Sequence, residues 1–365
     1  MKILFLAPSN SIHSHKWINC FVKMKHQVAW FSMSTEGAPK SADIFFTSVA
    51  KPRYIFGWIC VYLRLARLIR SFKPDVVHVH SAGSYGVLGL LAFFSPKIVT
   101  VWGSDVVINS ESFLKRTLCK IILRKSNLIT TDAEHMIDGI RKIGVLDVPI
   151  EVIKFGIDTE LFRPLPKKIE IVKKFSLNKG PRVISMRNFD PIYDIETFVC
   201  AAKIVTGLRP DVHFYLGGSG PQKEALTAMV ANLGISSNCH FIGHVDNDDL
   251  PYLLNCMDIY VSTSPTDAGI AASTAEAMAC GLTCVVSDVY DNCEWIPHGE
   301  NGFLFECGDA DNLANIIIAI IDSPEIDLSL IKERARKKIL NENNIYIEMK
   351  KMEGLAQLTI EKTRI

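Results

Sequence analysis

Short runs of β-branched and aliphatic residues alternate along the chain with stretches whose apolar positions recur every three to four residues. This is the pattern of parallel strands joined by covering helices. Strand-like runs in the first half are residues 2–6, 27–32, 75–80, 97–101, 128–131 and 150–153; in the second half they are 182–186, 212–216, 239–242, 259–262, 283–287 and 302–305. Two open α/β domains of similar size are predicted, residues 1–160 and 161–344. Their boundary is the stretch GIDTELFRPLPKK at 156–168, where two prolines and a turn sequence interrupt both periodicities. The run NENN at 341–344 ends a basic helix, and a last helix is predicted from about residue 345 to 362 within a final segment, 345–365. Two such domains in series predict a cleft lined by the carboxyl ends of both sets of strands.

Residues 51–73 read as an amphipathic helix. Trp58, Tyr62, Leu65, Ile69 and Phe72 form one apolar stripe, and Arg64, Arg67 and Arg70 centre on the opposite face. A domain helix with a solvated arginine face accounts for this pattern; so does peripheral attachment to anionic lipid. Charge bears on the choice. The 365 residues are nearly neutral overall, with 40 Lys and Arg against 39 Asp and Glu, yet residues 1–160 hold 20 basic and 12 acidic side chains and the remainder 20 and 27. The basic half points toward an anionic partner. An anionic membrane surface is expected, and no motif supports nucleic acid.

A hydrophobic content of 48% with 22% charged residues is that of a folded globular chain. The longest nearly unbroken apolar run, YGVLGLLAFF at 85–94, is far short of the roughly 18 residues that cross a bilayer. MKILFLAP has too few apolar residues before Pro8 for a secretory signal, so a cytoplasmic location is expected, with peripheral attachment at the inner face of the membrane. The ten cysteines contain no CxxC pair, and neither a zinc knuckle nor a dithiol site is expected.

Candidate chemistry concentrates in the second half. LGGSGP at 216–221 follows a strand and precedes a helix, so Gly218 and Gly220 let backbone approach a ligand. No GxGxxG follows the first strand, which removes most of the weight of a dinucleotide reading. The segment STSPTDAGIAASTAEAMACG at 262–281 ends a strand, forms a loop of small residues and starts a helix at about Ser273. Ala268, Gly269, Ile270, Ala271, Ala272, Ser273 and Thr274 are expected to present backbone N–H groups as an anion cradle ahead of the positive helix end. Glu276 has two open readings: holding two vicinal ribose hydroxyls, or closing a capping box with Ser273 at the N-cap. His78 and His80 lie on one face of a strand near its carboxyl end, His80 being the better site candidate, and Asp105 follows a strand end and either caps the next helix or orients an acceptor hydroxyl. The acidic run DNDD at 246–249 is read as a loop capping the helix that starts at Leu250, and no metal is assigned.

The 262–281 segment, together with LGGSGP, FIGHV at 241–245, MDIYVSTSP at 257–265 and GENGFLFECGD at 299–309, resembles the donor half of glycosyltransferase family 4. DVVHVH at 75–80, VWGSDV at 101–106 and VIKFGIDTELFRP at 152–164 resemble that family's acceptor domain and linker. The resemblance implies a GT-B architecture, two Rossmann-like parallel-sheet domains facing a central cleft. It also implies a last helix that returns to the first domain, and transfer with retention from a nucleotide-diphosphate sugar to a hydroxyl, without cofactor or metal. A UDP-sugar is favoured over a GDP-sugar, and the expected acceptor is a glycan or lipid-linked glycan of cell-surface polysaccharide or lipopolysaccharide synthesis.

By the same resemblance Glu276 holds the donor ribose, Arg187 steadies the diphosphate, and Val245, Gly218 and Gly220 belong to the donor site. The family's first glutamate falls where this chain has Ala268, and the neighbouring Asp267 is assigned its role on the donor sugar. The family's lysine about five residues beyond Arg187 is absent, Ile192 and Tyr193 standing there, and Trp102 replaces a histidine. The alternatives are a nucleotide-sugar epimerase or phosphorylase on the same fold, or a non-catalytic nucleotide-sugar binding protein.

Overall fold

The structure, a computed structural model, describes residues 1–52, 54–102, 113–267, 270–290 and 292–364. The chain divides into two compact units, Met1–Gly156 with Ile345–Ile365, and Ile157–Asn344.

The first unit is built on seven parallel strands: β1 Lys2–Leu6, β2 Gln27–Ser32, β3 Ile44–Ser48, β4 Val76–His80, β5 Lys97–Val101, β6 Leu128–Thr131 and β7 Ile150–Val152. Their order is β3-β2-β1-β4-β5-β6-β7. Every residue of β4, β5 and β6 is buried, because helices cover both faces, and this is why those strands read as unbroken apolar runs. Helix Ile55–Phe72 packs on one face through Val61, Leu65 and Phe72. Helices Ile12–Lys23 and Ile345–Arg364 cover the other, where Trp17, Ile18 and Phe21 meet Ile345, Met349, Met352, Ala356 and Ile360. The spacing of these last five positions, four and three residues, makes one helical stripe.

Two expectations are corrected here. β3 does not stand out in the sequence: it is a five-residue edge strand in which Phe45 points outward at 63% exposure, so no alternation marks it. Tyr62 is not part of the buried stripe of helix Ile55–Phe72. It is exposed and meets Phe93 edge-on at 6.3 Å, while Val61 takes the core position.

The second unit holds six parallel strands, β8 Arg182–Ser185, β9 His213–Gly217, β10 Cys239–Gly243, β11 Ile259–Ser262, β12 Thr283–Ser287 and β13 Phe303–Phe305, in the order β10-β9-β8-β11-β12-β13. Helices Ile195–Leu208, Lys223–Asn232 and Ala310–Asp322 pack on one face, through residues such as Phe198, Leu226 and Leu313. Helices Leu250–Leu254, Ala272–Ala279 and Leu328–Glu342 pack on the other, through Leu253, Met278 and Ile339.

Both sheets reverse their strand order once, between β1 and β4 in the first unit and between β8 and β11 in the second. In open α/β sheets the loops leaving such neighbouring strands diverge to opposite faces and open a crevice beyond the carboxyl ends, where ligands bind. Each unit therefore has one place set aside by topology.

Candidate active site

In the second unit, the loops leaving β8 and β11 bring Arg187 and Asp267 together. Arg187 Nη2 pairs with Asp267 Oδ1, and the two side chains are 12% and 8% exposed. Asp267 Oδ2 accepts a hydrogen bond from the Ser262 hydroxyl at 3.2 Å. The Tyr193 ring lies against the guanidinium, 4.3 Å from its carbon to the ring centroid, a cation–π contact that fixes the plane of the fork. Arg187 Nε is buried and has no hydrogen-bond partner among the described residues. The two residues expected on different parts of a donor are thus bound to each other. A buried charge needs a counter-charge, and an anionic ligand reaching Arg187 meets Asp267 as its competitor.

The loops are stitched in place. The Thr263 hydroxyl donates to the Tyr193 carbonyl at 3.0 Å and the Thr266 hydroxyl to the Ile192 carbonyl at 3.3 Å. Gly218, at φ +144°, and Gly220 are required by close packing against the Arg187 loop. A Cβ on the first would stand 2.6 Å from the Arg187 carbonyl oxygen, and on the second 2.4 Å from that of Phe189. Both glycines thus make a close approach to the chain's own backbone at Arg187 and Phe189.

Helix Ala272–Ala279 follows Asp267 and starts one residue earlier than its sequence suggests. Its N-cap is Ala271, with no side-chain cap. The capping-box reading with Ser273 at the N-cap is therefore corrected: Ser273 is inside the first turn, and its hydroxyl accepts a hydrogen bond from Tyr260 at 2.8 Å. Burial pushes the Tyr260 phenol up to about 12, against the pull of Arg187, so it stays a neutral donor. Sequence reasoning met Tyr193 only as a residue standing where the family's lysine is absent and gave Tyr260 no role, since a tyrosine packed within a strand has no local signal. Glu276 is 8% exposed and Thr274 is buried, while Ile270, Ala271 and Ser273 are half-buried and Ala272 is exposed. Ala268 and Gly269 lie outside the described residues, as does Asp105. The Val245 side chain belongs to the core with Leu250 and Leu253.

The acidic loop does not cap by side chain. Asp249 stands at the N-cap of helix Leu250–Leu254 without a capping hydrogen bond. Its carboxylate instead takes Lys174 Nζ at 2.6 Å, with Asp246 at 4.0 Å, because a mobile ammonium is the stronger partner within reach.

In the first unit the reversal between β1 and β4 gathers neutral groups. His78 Nε2 lies 2.7 Å from the Thr100 hydroxyl and His80 Nδ1 lies 3.3 Å from the Ser14 hydroxyl. Both rings are fully buried, and burial brings His78 down to about 3 and holds His80 well below its ordinary range, with His78 and His13 adding to the effect. His80 is therefore a neutral, buried ring whose Nε2 has no hydrogen-bond partner among the described residues. Trp102, Phe155 and His13 form an aromatic group beside it, Trp102 stacking on Phe155 at 4.7 Å.

Comparison with known proteins agrees with this anatomy. Residues 167–338 match the family model of glycosyl transferases group 1, and residues 2–133 that of glycosyl transferase 4-like proteins. The chain is 25% identical to N-acetyl-alpha-D-glucosaminyl L-malate synthase of Bacillus anthracis, over 81% of this chain and 79% of that one. It is 26% identical to UDP-Gal:alpha-D-GlcNAc-diphosphoundecaprenol alpha-1,3-galactosyltransferase of Escherichia coli, over 80% and 78%. Among solved structures it is similar to sucrose-phosphate synthase of Thermosynechococcus elongatus, with a TM-score of 0.78 at 18% identity over 99% of this chain and all of that one. It is also similar to HepE of Anabaena in complex with UDP and glucose, with a TM-score of 0.77 at 18% identity over 98% and 99%. Two parallel-sheet units matched in chain order by these two models, on a fold shared along nearly the whole length, make the chain a member of the group 1, family-4-like glycosyltransferases with the GT-B fold.

Proposed function

We propose that this glycosyltransferase moves a sugar, with retention, from a UDP-sugar to a hydroxyl of a glycan or lipid-linked acceptor in cell-surface polysaccharide synthesis. The observation that carries the donor assignment is the Arg187 guanidinium, held by Asp267 and Tyr193 where β8 and β11 part. Helix Ala272–Ala279 and the small-residue loop before it follow from the same strand. A guanidinium and a helix N-terminus are the groups that stabilise charge developing on a departing diphosphate. We assign them that role without a metal, Asp246 and Asp249 being engaged with Lys174. Glu276, inside the helix, is assigned to the ribose. Asp267 acts through Arg187, orienting it and yielding it to the diphosphate. The base preference draws on the Escherichia coli relative, which is named for UDP-Gal. The lipid-linked acceptor draws on that relative and on N,N'-diacetylbacillosaminyl-diphospho-undecaprenol alpha-1,3-N-acetylgalactosaminyltransferase of Campylobacter jejuni, 25% identical over 78% of this chain.

No helix among the described residues is long and apolar enough to cross a membrane. Attachment to the inner face of an anionic membrane is assigned to helix Ile55–Phe72, which exposes Phe56, Ile59, Tyr62 and Leu63 together with Arg64, Arg67 and Arg70, with Tyr54 exposed just ahead of it. Calorimetry and turnover with a panel of nucleotide sugars test the central reading. Binding of UDP together with transfer or slow hydrolysis of one UDP-sugar is expected. Absence of binding to every nucleotide sugar would refute it.

A further inference from the structure

The amino ends of the strands in the second unit carry a cluster that the donor site does not use. His213 opens β9, His240 is the second residue of the neighbouring β10, and Asn178 lies in the segment ahead of β8. His213 Nδ1 stands 3.2 Å from His240 Nε2, and the Asn178 amide stands 3.0 Å from His240 Nε2 and 3.5 Å from His213 Nδ1. Three polar side-chain atoms thus form a nearly equilateral triangle, at the edge of the sheet opposite to the loops that carry Arg187 and Asp267.

Hydrogen bonds among these atoms do not satisfy all three. Each ring nitrogen holds either one proton or one lone pair. If the His213 N–H donates, the one lone pair of His240 Nε2 is claimed twice, by that N–H and by the Asn178 amide. If His240 donates instead, its N–H faces the amide N–H. Turning the amide so that Oδ1 faces the rings leaves one proton to serve three acceptors. A cation centred on the triangle takes all three lone pairs at once. Burial lowers both rings below their ordinary range, with Arg182 adding at His213 and His213 adding at His240, so both are neutral near pH 7.

The spacing suits a metal. Two nitrogens held by one tetrahedral zinc at about 2.0 to 2.1 Å stand about 3.3 Å apart. His240 also lines a cavity of about 490 Å³ with Lys174, Phe175 and Ser176, which gives water access to a fourth position. The cations nearby are engaged elsewhere, Lys174 with Asp249 and Arg182 with the carbonyls of Asn178 and Cys256. No third His, Cys, Asp or Glu joins the pair among the described residues. Neutral imidazoles select a borderline transition metal over Mg²⁺ or Ca²⁺. We propose that His213 Nδ1, His240 Nε2 and the Asn178 amide oxygen bind a divalent cation of the Zn²⁺ and Ni²⁺ class. The ion clips β9 and β10 to the segment ahead of β8, and from that edge of the sheet it does not reach the donor diphosphate.

Calorimetry and thermal unfolding of the full chain, without an added histidine tag and freed of metal by EDTA, test it. Ni²⁺ and Zn²⁺ should each bind and raise the unfolding midpoint, because a ligand of the folded state stabilises it, whereas Mg²⁺ and Ca²⁺ should not. Cys60, Cys293 and Cys307 are exposed thiols, so variants locate the ion. Losing an outer-shell partner typically costs about 10- to 100-fold in metal affinity, and His213→Ala and His240→Ala, which lose a ligand, should each weaken Ni²⁺ by at least that much. Asn178→Asp keeps both rings, adds a carboxylate and should tighten Ni²⁺. Far-UV circular dichroism shows that each variant is folded, and if an alanine variant is not, Asn178→Asp decides. No binding of Ni²⁺ or Zn²⁺ by the parent chain, binding unchanged in the folded alanine variants, or binding no tighter in Asn178→Asp overturns the proposal.

Discussion

The two units repeat one topological device with opposite chemistry. Where β8 and β11 part, a half-buried arginine is paired with a buried aspartate and faced by a tyrosine; where β1 and β4 part, the buried groups are two neutral histidines, with serines, a threonine and an open cavity beside them. Strand order alone placed both crevices. Side chains then gave one crevice an arginine–aspartate pair and the other neutral histidines beside a hydroxyl-lined opening. The difference teaches that the fold selects the place of binding and leaves the ligand class to a few loop residues.

The largest effect is expected from breaking the charged side. Arg187→Ala removes the cation placed where β8 and β11 part, and charged hydrogen bonds are worth about 1.5 to 3 kcal/mol each. A loss of roughly two orders of magnitude in kcat/KM is expected by steady-state kinetics, and wild-type turnover would end the donor assignment.

Next comes the charge contrast between the halves. Reversing Arg64, Arg67 and Arg70 to glutamate should lower partition onto anionic vesicles about a hundredfold at low salt, since each basic group near such a surface contributes roughly 1 kcal/mol. Equal sedimentation of variant and parent would remove the membrane from the account of helix Ile55–Phe72.

The neutral side should announce itself through pH. His78 titrates at about 3 in the folded chain and near 6.5 when unfolded, so its folded value is depressed. Its stabilisation is complete above pH 6.5 and is lost as pH falls, because the unfolded chain takes up the proton first. The loss reaches about 2 kcal/mol by pH 5 and continues toward pH 3, with His80 contributing in the same direction. Urea denaturation at a series of pH values, followed by tryptophan fluorescence, reads this mainly in the first unit, which holds Trp17, Trp30, Trp58 and Trp102 while only Trp295 lies in the second. A flat profile between pH 7 and 5 would show that the histidines do not stay neutral.

The smallest effects separate the two acidic residues of the second unit. Glu276→Gln should weaken UDP about fivefold through its loss at the ribose. Asp267→Asn should strengthen UDP about threefold, because the diphosphate no longer displaces a carboxylate from Arg187, while turnover falls as the arginine loses its orientation. Weaker UDP binding in Asp267→Asn, measured by calorimetry, would mean that Asp267 does not compete for the arginine.

Most of the scaffold was legible because strands buried on both faces must be apolar throughout. β2, β5, β6, β11 and β12 begin and end where the apolar runs do. β3 was not legible, since an edge strand with Phe45 outward has no required pattern. Arg187, Glu276 and Asp267 were found as residues, and their family resemblance suggested what kind of ligand they meet. That Arg187 and Asp267 hold each other was not readable, because 80 residues separate them and only the adjacency of β8 and β11 brings them together. The glycines of LGGSGP were read as leaving room for a ligand, and only the fold shows that Gly218 and Gly220 also pack against the backbone of Arg187 and Phe189. By itself the sequence determined the order of elements, the two sheets and the kinds of residue at the loop ends, since periodicity and composition are local properties. Only the tertiary structure decided which charges are neutralised, which histidines lose their protons and where a hydroxyl-lined cavity opens, because burial and pairing depend on neighbours distant in the chain.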